Sequence, residues 1–133
     1  SDSDEISVIP NLAPLPDAQR DYAKMTILQF YAEGISAVHT RAHPSVAAEF
    51  DGVKGKAMEK IASKTSRLDE MEHRGHNFGT ELGLDFTLVV FRIPNDNGYN
   101  QVKVAMTAED GCCQVAGFHV EAKTMKSLFG KAD

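Results

Sequence analysis

"LDFTLVVFRIPNDNGYNQVKVAMTA" (84–108) decides the fold. Side chains of a strand alternate between two faces. Residues 84–93 are apolar on both, which marks a central strand with neighbours on each side. "PNDNG" (94–98) interrupts the run, and Asn-Gly is the strongest short hairpin signal. Residues 99–108 then alternate cleanly. Val102, Val104 and Met106 fall on one side, Gln101 and Lys103 on the other. The stretch therefore reads as two antiparallel strands sharing one buried face.

Towards the C-terminus, "EDG" (109–111) reads as a second turn and "CCQVAGFHVEA" (112–122) as a third strand. Its two adjacent cysteines allow three readings: a metal site, a redox pair, or two small apolar residues. In a regular strand their sulfurs point to opposite faces and cannot share an ion. A disulfide between neighbours would close a strained eight-membered ring. No cation stands nearby in sequence to lower a thiol pKa. The pair therefore reads as small apolar residues. Cys112 shares its phase with Ala116, Phe118 and Val120 and is expected inside. His119 is expected on the face of Cys113, Val115 and Gly117. Towards the N-terminus, "DEMEHRGHNFGT" (69–80) reads as a weaker fourth strand.

Before the strands the periodicity changes. Tyr22, Met25, Leu28, Tyr31, Ile35 and Val38 recur at three- and four-residue spacing, widened by Ile27 and Phe30. That is the stripe of a core-facing helix. Pro16-Asp17 suits its start, and Pro44 ends it. "PSVAAEF" (44–50) reads as a short second helix and "DGVKG" (51–55) as a loop. "KAMEKIASKTSRL" (56–68) reads as a third helix with Met58, Ile61 and Ala62 inward. Helices first and strands after predict an α+β domain: a long N-terminal helix and short helices packed on a curved antiparallel sheet of three to five strands. The expected organisation is an irregular segment over 1–15, one domain over 16–125 and a tail over 126–133 packing through Leu128 and Phe129.

With 133 residues, 42% hydrophobic, the chain can bury a core without staples or metals. A net charge of −5 argues against nucleic acid, which needs a basic patch. No apolar run is long enough for a membrane helix. "SDSDE" followed by "ISVIPNLAPLP", starting at Ser1, resembles the tail left after a removed signal peptide. Export to a periplasm or envelope is the expected setting.

Asp110-Gly111-Cys112-Cys113-Gln114-Val115-Ala116-Gly117-Phe118 resembles the late-strand "dG-x-W-x-V-x-G-F" pattern of the nuclear transport factor 2-like superfamily, with Cys113 in place of the Trp, and that resemblance implies Cys113 inside where the phase implies Cys112. The element order over about residues 17–122 is similar to small bacterial envelope proteins of that superfamily with no assigned activity. The cystatin-like helix-on-sheet arrangement is the near alternative. The resemblance implies a cone with a pocket between helices and sheet, pairing of two copies through the sheet face or edge, and in some relatives isomerase, dehydratase or hydrolase chemistry.

Three sets of residues could carry function. Asp85 is in phase with Thr87, Val89, Phe91 and Ile93, so it would sit at the mouth of such a pocket. Desolvation there would make it a general base, with His119 as partner and Tyr31 as hydrogen-bond donor to an oxyanion. The blander account is a solvated carboxylate at a strand end. Tyr31, Phe91 and His119 are the candidates for holding a small apolar ligand. His39, His73 and His119 are the candidates for a metal. His39 and His43 have the four-residue spacing of two ligands on a helix, but Pro44 breaks that geometry at His43. His73 and His76 fall on opposite faces if extended. "GVKG" lacks phosphate-loop spacing, so no cofactor is implied. Titratable groups are scattered rather than convergent. The expectation is a non-catalytic ligand-binding or accessory protein with an apolar pocket. The alternatives are a small acid–base isomerase or dehydratase and a histidine metal-binding protein.

Overall fold

The computed structural model describes residues 13–64, 66–81, 83–107 and 112–124. The turn expected at 109–111 and the tail at 126–133 lie outside them. The fold is α+β: three helices packed on one face of a four-stranded antiparallel sheet that does not close. The helices are α1 (Asp17–Glu33), α2 (Ile35–Arg41) and α3 (Val53–Ala62), with single 3-10 turns at Ala47–Phe50 and Leu68–Glu70. The strands are β1 (Glu72–Glu81), β2 (Leu84–Asn95), β3 (Gly98–Thr107) and β4 (Gln114–Thr124), neighbours in chain order. β2 and β3 both lie inside the sheet, as the apolar run over 84–93 requires of the first of them.

The long helix is two helices. Gly34, at φ 91° and ψ −169°, breaks it. Only glycine adopts that backbone region without strain. The break leaves α2 with an open N-terminus, and Glu59 of α3 closes it, its Oε2 accepting the Ile35 N–H at 2.7 Å. The buried stripe of α1 is Ala23, Thr26, Ile27 and Phe30. Met25 and Leu28, expected inward, are 46% and 42% exposed. The apolar set is wider than one helical face, and the sheet covers only the part centred on Ile27. "PSVAAEF" forms a 3-10 turn rather than a helix, and α3 begins at Val53, inside the expected loop.

The core lies between α1–α3 and one sheet face. Val89, Phe91, Ile93, Val102, Val104, Met106, Val115, Phe118 and Val120 meet Ile27, Phe30, Val38, Phe50 and Met58. Burying one such side chain stabilises the fold by about 1.5–3 kcal/mol, so this layer dominates. Two bulges reset the alternation. Ala116 is the extra residue of β4: Gly117 pairs with Ala105 and Val115 with Met106. Val115 thereby joins Phe118 and Val120 inside. Arg74 is the extra residue of β1, between His73 opposite Phe91 and Gly75 opposite Val90. A one-residue insertion flips every side chain beyond it.

The placement of the cysteines differs from the strand-phase expectation. Cys113, not Cys112, packs against the core, and Cys112 is exposed. Both precede β4, so strand alternation does not separate them. The two side chains lie against each other.

Candidate functional site

The space between helices and sheet is filled. Phe30, Phe50 and Phe91 are each 1% exposed, and Phe30 packs on Phe118 at 5.0 Å between ring centroids. Phe91, expected to line a ligand pocket, is core. Cavities lie instead at the rim of the layer.

The first rim cavity has a volume of about 590 Å³ and lies where the start of α1 meets the β1–β2 hairpin. Its lining includes Gln19, Phe78, Thr80, Asp85, Phe86 and Thr87. Asp85 stands at its edge as the strand phase required. Thr80, its cross-strand partner, donates a hydrogen bond from Oγ1 to Asp85 Oδ1 at 2.8 Å. Thr87 is 4% exposed and Phe78 36%. Gln19 Oε1 is fully buried and has no hydrogen-bond partner among the described residues. The Phe86 ring lies over Gly79, where a Cβ would stand 2.7 Å from its Cζ.

A second cavity, about 600 Å³, lies at the opposite end, between the end of α3, the β2–β3 turn and the end of β4. Its floor is a polar network around Asn100, which is 1% exposed. Asn100 Nδ2 donates to Tyr31 Oη at 2.7 Å and to Ser66 Oγ at 3.2 Å. Asn95 Nδ2 donates to Asn100 Oδ1 at 2.8 Å. Burial pushes the Tyr31 hydroxyl above its ordinary pKa of 10.0, while the hydrogen bonds with Asn100 and Ser66 hold it partly back. Tyr31 itself faces a third, smaller cavity of about 310 Å³ beside Gly34 and Glu59.

His119 is on neither the face nor the end that holds Asp85. It pairs with Lys103 on the uncovered face of the sheet, where Nε2 stands 3.8 Å from Glu121 Oε1. The expected placement of His119 with Val115 fails because of the bulge. Asp85, His119 and Tyr31 therefore occupy three separate places, and the acid–base arrangement expected of them is not assembled. The metal candidates are equally dispersed. His39 on α2 stands 3.6 Å from Asp51, and His73 is on β1. Among the described residues no three His, Cys, Asp or Glu side chains cluster to hold an ion.

The alternation missed one pair. The bulge at Arg74 brings His73 and His76 to the same face, stacked at 5.4 Å between centroids. Each Nε2 meets a backbone carbonyl: Gly75 O at 3.1 Å for His73, Ala13 O at 2.9 Å for His76. A carbonyl only accepts, so each Nε2 carries the proton. Burial, then the neighbouring His76, lower the His73 pKa from 6.5; Arg20 lowers it further, and the bond to Gly75 O partly offsets them.

The sheet face away from the helices, which no described element covers, has an apolar centre of Phe86, Leu88, Val90 and Ala105, with Gly75 and Gly117 beside it; Val90 there is only 7% exposed. Glu72, Arg92, Lys103 and Glu121 border it. Arg92 lies over the Tyr99 ring at 4.0 Å. Among the described residues no helix is long and apolar enough to cross a membrane. Compared with known proteins, the chain matches no family model, no curated protein and no solved structure.

Proposed function

We propose that this chain is a non-catalytic binding protein whose ligand seat is the cavity between the start of α1 and the β1–β2 hairpin. The observation that carries the reading is the cavity itself, about 590 Å³, with Asp85 on its rim held by the Thr80 hydroxyl and Phe78 part-exposed in its wall. The dispersal of Asp85, His119 and Tyr31 favours binding over acid–base turnover. Helices before a four-stranded antiparallel meander are the feature that this chain shares with the nuclear transport factor 2-like reading.

The test is a mixed fragment set followed by backbone amide NMR. Shifts clustered at Gln19, Phe78 and Thr87 are expected. Shifts confined to the Asn100 end, or none anywhere, overturn the reading. Turnover that Asp85→Asn abolishes would restore the enzyme alternative.

The sheet face away from the helices is proposed to pair with a second copy. A two-fold contact sets a patch against itself, so charged groups at its border are best accommodated when both signs are present. This border has them, two acidic and two basic groups, in a chain of net charge −5. Sedimentation velocity should show a concentration-dependent dimer that Leu88→Glu dissociates. A wild-type monomer at every concentration refutes it.

A further inference from the structure

We propose that the ligand of the α1/hairpin cavity is a small organic ammonium ion with an aromatic or aliphatic body. This rests on the reading of that cavity as a ligand seat. The lining is rich in acceptors and carries one negative charge. Asp85 is held on the rim by Thr80 at 2.8 Å, and a carboxylate has about four acceptor sites, of which that bond occupies one.

No described lining residue is basic. Arg20, the next residue along α1, faces Asp17 at 2.8 Å and Asp21 at 3.9 Å. An anion would therefore meet Asp85 without compensation. A neutral ligand would leave the carboxylate bonded to water and Thr80, gaining nothing from it. A primary ammonium supplies three donors and the opposite charge. Phe78, 36% exposed, adds a ring face that attracts a cation. The same ring offers an apolar wall to the body of the ligand. The negative net charge of the chain adds long-range attraction for cations.

The test compares three probes of similar shape by amide NMR titration: phenethylammonium, 2-phenylethanol and 3-phenylpropionate. Phenethylammonium should bind tightest, with shifts at Gln19, Phe78 and Thr87. Asp85→Asn should weaken it about fivefold, the size of a partly exposed ion pair. The exposed Asp69→Asn should leave it unchanged, as should binding of 2-phenylethanol to Asp85→Asn. Equal binding of alcohol and amine, or an amine affinity that Asp85→Asn does not change, overturns the ammonium assignment while the ligand seat stands. Silence of the cavity amides towards all three probes and towards the mixed fragment set overturns both. Phe78→Leu, which keeps an apolar side chain, should weaken the amine more than the alcohol; the reverse order also overturns the assignment.

Discussion

The junction at Gly34 can be tested by replacing Gly34 with Ala. Two costs follow from the geometry. The backbone at φ 91° and ψ −169° lies in a region that only glycine occupies freely, costing a side-chain-bearing residue about 2 kcal/mol. The new Cβ would also stand 2.6 Å from Glu59 Oε2. Glu59 must then swing away, and Ile35 loses the carboxylate that accepts its N–H, worth about 1 kcal/mol. Gly34→Ala should therefore cost about 3 kcal/mol, and Glu59→Ala about 1 kcal/mol. Their sum is about 4 kcal/mol, yet the double variant should cost only about 3 kcal/mol, because the capping bond is lost once. Urea denaturation of the four proteins measures this, with an unchanged m-value as the sign that only the native state is affected. Strict additivity would refute the claim that Gly34 is required by the Glu59 contact, leaving the backbone angle alone as its cause.

Other expectations follow from the same geometry. Asn100→Ala should cost about 2–3 kcal/mol, since it strands groups on Tyr31, Ser66 and Asn95 together, while Tyr31→Phe should cost about 1 kcal/mol; thermal melts of the two variants test the order. His73 has a folded pKa below its unfolded value of 6.5. Its contribution to stability is therefore full above that value and is lost as pH falls through it. Denaturation from about pH 7 to pH 5 should show a smaller loss for His73→Phe than for the wild type. Val115→Ala should cost about 2 kcal/mol, whereas Ala116→Ser should change stability by under about 0.5 kcal/mol. Regular alternation from Phe118 would reverse that order, so the pair of melts reads the bulge directly.

Much of the site was legible only in part. Asp85 reached a cavity rim because its phase with Thr87 runs unbroken through β2. Phe91 follows the same phase but is 1% exposed within the core between helices and sheet. Gln19 was missed, since a polar residue at the exposed start of a helix carries no local signal of a buried, unpaired oxygen. Tyr31 does line a small cavity, but its partner Asn100 is 69 residues away. No spacing rule connects them.

What the sequence determined by itself is the α+β architecture and the inward faces of β2 and β3. Alternation of Val102, Val104 and Met106, the Asn-Gly turn and the helical stripe are local patterns, and local backbone geometry reads them directly. Tertiary structure decided where that geometry breaks. At Ala116 the extra residue lets the Val115 carbonyl accept the His43 N–H at 2.8 Å, tying the end of α2 to β4. At Arg74 another extra residue stacks His73 on His76. At Gly34 a carboxylate 25 residues away in the chain closes a helix end. Each break satisfies a contact distant in sequence, and one inserted residue is enough to invert the faces of all that precede it.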